Sequence, residues 1–162
     1  MLIPTDFSIE SLNLFKAAVQ PGSTGQVHIV FLHAVYGSNS VMDLLFNSQR
    51  KIHESLITEN FRNGCTIIRN KFSSSIATDR IEFFSGTTQA AFRNFLEGNN
   101  ITEIFIPKNY KFKKASSLSF DPMPMIRRSH LPKHDVSWQQ FEETPEKNML
   151  AELFSDPAIS IL

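Results

Sequence analysis

Residues Val27 to Val35 form an almost continuous apolar run, Val-His-Ile-Val-Phe-Leu-His-Ala-Val. A strand with one wet face alternates apolar and polar residues, whereas a run apolar at nearly every position belongs to a sheet covered on both sides. Such a sheet needs helices above and below it, and the remainder of the chain supplies them. Strand-like and helix-like segments alternate from end to end, the pattern of βαβ units. The expected class is α/β, a Rossmann-like open sheet of five parallel strands with helices on both faces.

The segments follow from local signals. Leu2-Ile3 is a short buried strand. A helix runs from Ser8 to about Gln20, with Ser8 as N-cap, Leu12, Phe15 and Val19 on one face, and Pro21-Gly22 as terminator. Gly37-Ser38-Asn39-Ser40 is a polar turn. Val41 to about Phe72 is mostly helical, with a break near Asn47-Ser48 and a stripe of Ile52, Leu56, Ile68 and Phe72. Arg80 to Ser85 is a strand, and Gly86-Thr87 leads into a helix carrying Phe92, Phe95 and Leu96. Gly98-Asn99-Asn100 closes that helix. Ile104-Phe105-Ile106 centres the next strand, 108–120 is polar and basic without a period, and a short helix follows at 122–129. His134 to Gln140 is the last strand, with Val136 and Trp138 on one side. These elements define a domain at 1–141. Residues 142–162 form a helical tail, with Thr144 as cap, Pro145 at the first helical position, and an apolar face of Met149, Leu150, Leu153 and Phe154.

Composition removes several function classes. Sixteen basic residues balance sixteen acidic ones among 162, so the positive excess of a general nucleic-acid binder is missing. No apolar run approaches the roughly 20 residues that span a bilayer, and Pro4 and Asp6 interrupt any signal-peptide pattern. A single cysteine, Cys65, allows no internal disulfide and fits a reducing compartment. The expected location is the cytoplasm, with no nucleic-acid or membrane partner.

Ligands of open α/β sheets sit outside the carboxyl ends of the strands. Pro4-Thr5-Asp6 lie at the end of the first strand, so Asp6 is where a nucleotide-contacting carboxylate is expected. Its other reading is a cap for the first helix. Lys108, Lys111, Lys113 and Lys114 are the only dense basic cluster; they either hold an anion through side chains or form a solvated loop. His130 and His134 stand four apart beside Asp135, but Pro132 forbids the helix that would align them, so no metal site is expected. His28 and His33 face opposite sides of their strand and read as hydrogen-bonded core or rim residues. Cys65 reads as a structural thiol. No Gly-x-Ser-x-Gly, Walker loop or dinucleotide fingerprint occurs, and no base–nucleophile pair is visible, so an enzyme is not expected.

The opening Leu-Ile-Pro-Thr-Asp-Phe-Ser, the Ile29–Ala34 strand with its Leu-His pair, and the Asn-Asn-Ile-Thr-Glu-Ile approach to the fourth strand together resemble the universal stress protein family over about residues 1–140. The resemblance implies strand order 3-2-1-4-5, a homodimer through the last strand, and an aspartate at Asp6 that contacts base and ribose. It also implies, for ATP-binding members, a phosphate loop Gly-x2-Gly-x9-Gly-Ser/Thr after the fourth strand, whose backbone amides cradle the anion. Here Lys108, Lys111 and Ser119 or Asp121 occupy those glycine positions, and no glycine follows Gly98. The expectation is a degenerate, non-catalytic member without a cofactor, acting by dimerisation and partner contact in stress response or signalling, with the C-terminal tail docking in cis or across the dimer. The alternative is an ATP binder using Pro4, Thr5, Asp6, Lys108 and Lys111.

Overall fold

The computed structural model describes residues 1–19, 25–37, 48–138, 151 and 160–161. The strands are β1 (Leu2–Pro4), β2 (Val27–Ala34), β3 (Ile76–Phe84), β4 (Ile104–Pro107) and β5 (Lys133–Ser137). They form one open sheet in the order β3-β2-β1-β4-β5, and every pairing among them is parallel. This is the order that the resemblance implied. A sixth strand, β6 (Ser160–Ile161), adds to the five: it pairs antiparallel with β5 at Val136 and Ser137. The tail helix expected from Thr144 lies outside the described residues.

Helices cover both faces, as the unbroken apolar β2 requires. One face of the sheet presents Ile3, Ile29, Phe31 and Phe105 to α1 (Leu12–Ala18) and α3 (Glu59–Lys71); the other presents Leu2, Val30, Leu32 and Ile104 to α4 (Gln89–Gly98) and α5 (Met123–Arg128). A further helix, α2 (Ser48–Leu56), precedes α3. Alternate residues of each strand therefore enter separate cores, one for each side of the pleat.

Several boundaries differ from the sequence reading for physical reasons. The Ser8 Oγ accepts from Ser11 N–H at 3.1 Å, so Ser8 caps a turn of i→i+3 bonds, and the regular helix begins only at Leu12. The long helical stretch breaks at Thr58, whose side chain accepts from Phe61 N–H at 3.1 Å. Its buried stripe is Phe61, Cys65 and Ile68, while Ile52 is 42% exposed. β3 begins at Ile76, four residues earlier than expected, because an edge strand keeps polar residues along a half-wet face. The left-handed residue that closes α4 is Asn100, with φ 54°. Asparagine adopts this conformation more readily than other side chains do.

Candidate functional site

The carboxyl ends of β1, β2 and β4 converge where a ligand of this fold class is expected. Pro4 is the last residue of β1 and pairs with Leu32. Thr5 and Asp6 follow it into the cleft, and both are buried. The chain then turns through Phe7, which holds φ 61° while its ring sits fully inside the core. That ring packs against His33, Phe61 and Phe83 at centroid distances of 4.6, 5.4 and 5.9 Å. A left-handed bulky residue costs on the order of 1–3 kcal/mol and persists only where its surroundings enforce it. Here the Thr5 Oγ1 accepts from Phe7 N–H at 3.0 Å, which helps to fix the turn.

That turn aims Asp6 at the chain's own groups. Its Oδ1 accepts from Ser8 Oγ at 2.6 Å and from Ser8 N–H at 3.1 Å. Its Oδ2 accepts from the Tyr110 hydroxyl at 2.6 Å and from Lys113 N–H at 2.8 Å. Tyr110 and Lys113 belong to the 108–121 segment that follows β4, so the carboxylate fastens that segment over the end of β1. Tyr110 is 9% exposed. Burial, reinforced by the Asp6 carboxylate, pushes its hydroxyl far above the ordinary tyrosine value, so it stays a donor.

The same segment crosses β2. Val35 and Ser119 form an antiparallel bridge, Tyr36 N–H donates to Leu118 O at 2.9 Å, and Phe120 N–H donates to Ala34 O at 3.0 Å. His33 joins the two layers. Its Nδ1 lies 2.7 Å from Thr5 O, which can only accept, so Nδ1 carries the proton. Its Nε2 then accepts from Ser119 Oγ at 2.9 Å. Burial holds His33 below its ordinary pKa, outweighing the Thr5 carbonyl and the Asp6 carboxylate, both of which act upward; nearby His53 adds a smaller downward push. Ser119 and His33 stand at the separation of a nucleophile and its base, but the serine is 2% exposed. Among the described residues, the space left between Thr5, Asp6, His33, Lys113 and Ser119 is a cavity of about 20 Å³. That cavity has room for one water molecule.

The sequence-predicted residues are therefore only partly assembled. Thr5 and Asp6 line this cavity; Lys108 and Lys111 are exposed and do not. The lysines that do are Lys113 and Lys114. Lys113 also reaches Glu10 through its ammonium at 2.9 Å. Sequence reasoning missed Tyr110, whose bond to Asp6 spans 104 residues, and placed Ser8 only as a cap and Ser119 only at a glycine position, without their bonds to Asp6 and His33. Elsewhere, Cys65 is buried, and burial with the Asp79 carboxylate pushes its thiol up to about 12. His28 is exposed and bonds Thr78 at 2.9 Å, and His134 pairs with Glu103 at 2.7 Å. Among the described residues no three His, Cys, Asp or Glu side chains are grouped to hold a metal, and no helix is long and apolar enough to cross a membrane.

Among solved structures, the chain is similar to the hypothetical protein MJ0577, the subject of a structure-based assignment of biochemical function. The two are 17% identical with a TM-score of 0.52, over 86% of this chain and 96% of that one. It is also similar to the hypothetical protein PH0823 at 18% identity and a TM-score of 0.47, over the same shares of the two chains. At such identities the likeness to MJ0577 establishes the α/β fold and nothing finer. No protein-family model matches the sequence. A search of curated proteins returns no match either.

Proposed function

We propose that this chain is a degenerate universal-stress-protein-like domain whose ligand cleft is filled by its own 108–121 segment. It acts without catalysis, through dimerisation and partner contact in stress response or signalling within the cytoplasm. The observation that carries this reading is the Asp6 carboxylate: both of its oxygens are taken by donors from within the chain. A base-and-ribose contact would have to displace them.

β6 lies on the outer edge of β5 at Val136 and Ser137. A homodimer through the last strand therefore includes the tail in its interface or moves it aside. Light scattering at high concentration tests this part, and a monomer would remove it.

The nucleotide question is settled by a thermal-shift titration with ATP, ADP and AMP, with and without magnesium. A ligand at about 100 times its Kd stabilises by about 2.7 kcal/mol, which for a chain of this size is a shift of about 5–10 °C. No shift is expected, and a clear one with ATP overturns the reading. One observation favours that alternative: Lys113 and Lys114 border the cavity beside Thr5 and Asp6. In that case Asp6→Ala or Lys114→Ala should weaken ATP binding, whereas Lys111→Ala, outside the cavity, should not.

A further inference from the structure

A second concavity lies away from the cleft, in the groove between α4 and α5, and it shares no lining residue with the first. Its volume is about 240 Å³, roughly an order of magnitude more than the cleft retains. Arg93 of α4 and Arg128 at the end of α5 border it, with His130, Ser129 and Gln89 beside them and Leu96 beneath. No aspartate or glutamate is among the lining residues, in a chain whose formal charge is zero. Neither arginine makes an ion pair or hydrogen bond with a described residue, and Glu97, one turn along α4 from Arg93, is not bridged to it.

Hydrogen bonds fix the backbone around the groove. Gln89 Nε2 donates to Met125 O at 3.0 Å, tying α4 to α5. The Lys133 ammonium donates to Ser129 O at 2.6 Å and to Leu131 O at 2.8 Å, pinning the turn that carries His130. Ser129 Oγ gives its proton to Ile126 O at 2.7 Å. The backbone that carries the two exposed arginines is thus fixed before a ligand arrives, which removes that part of the ordering cost of binding.

We infer that this groove is a binding site for a phosphate monoester. One guanidinium fork saturates the two oxygens of a carboxylate, whereas two forks from different helices supply enough donors for the three terminal oxygens of a phosphoryl group. Leu96, 2% exposed, offers an apolar floor for a small substituent on that group. The site stands independently of what the cleft does.

Backbone and arginine side-chain NMR shifts of the full chain, titrated with phenyl phosphate at constant ionic strength, provide the test. Inorganic phosphate and benzoate form the parallel arms. Phenyl phosphate is expected to move Gln89, Arg93, Ser129 and His130 saturably. Arg93→Gln and Arg128→Gln should each weaken binding about tenfold or more, the loss expected for a charge-assisted contact. Arg127→Gln should not, because Arg127 is exposed but does not line the groove. Inorganic phosphate binding as tightly as the ester would identify free phosphate as the natural occupant; tighter ester binding would identify a monoester. Benzoate binding equally well, an equal loss in Arg127→Gln, or shifts that sodium chloride reproduces would each overturn the inference.

Discussion

Replacing Tyr110 with phenylalanine removes a single oxygen from the latch that closes the cleft. The hydroxyl donates to the Asp6 carboxylate at 2.6 Å and stands 3.0 Å from Ser8 Oγ. Both Tyr110 and Asp6 are buried, so bulk water does not replace the lost donor at once. A hydrogen bond to a charged group contributes about 1.5–3 kcal/mol. For a chain of this length each kcal/mol moves Tm by about 2–4 °C, so Tyr110→Phe should melt about 3–12 °C lower. Asp6→Asn disturbs the same contact from the other side, because its amide nitrogen cannot accept from the tyrosine or from Lys113 N–H. The double variant should therefore lose less than the sum of the two single variants, with a coupling of about 0.5–3 kcal/mol. The pH dependence gives an independent readout. The folded tyrosine ionises well above its ordinary value of 10.0, while the unfolded one does not. The stability it contributes is present below about pH 10 and is lost as pH rises beyond it. Tyr110→Phe should flatten that alkaline decline. Melting within half a degree of the parent, together with strict additivity to Asp6→Asn, would refute the latch.

Three other outcomes follow from the packing. His33 is held below its ordinary pKa, so the unfolded chain takes the proton first. Urea midpoints should fall as pH drops below about 6.5, and His33→Gln should reduce that slope without abolishing it, because burial also holds His53 below its ordinary pKa. The Cys65 thiol, pushed up to about 12, should react with a thiol reagent at pH 8 only when denaturant opens the α3 core. Gly86→Ala places a Cβ 2.7 Å from both the Phe84 ring and the Ala91 Cβ; it should destabilise by about 1–3 kcal/mol in a denaturant titration.

The strands were legible because burial on both faces leaves a mark in the sequence: β2 and β4 are apolar almost throughout. The start of β3 is not legible, because Ala77, Thr78 and Asp79 look like a linker until an edge position explains them. The order of the strands came from the family resemblance, since periodicity says nothing about which strand lies beside which. Within the site, the position of Asp6 was readable from the strand-end rule, but its partners were not. Nothing near Tyr110 in sequence marks a hydroxyl destined for residue 6, and a left-handed phenylalanine at Phe7 has no local signature. Thr58 did carry a signal, a capping residue followed by Glu59 at the start of α3.

β1 is three residues long and occupies the middle of the sheet, hydrogen-bonded to β2 on one side and β4 on the other. Its second neighbour is made only after about a hundred more residues have been added. β1 is thus fully seated only once β4 has been made, and in the interval Leu2 and Ile3 lack one of their two flanking strands. Contacts of this separation are slow to form. Folding of this chain should accordingly be limited by the return of β4 to β1, and nascent chains that end before Pro107 should leave β1 open to chaperones.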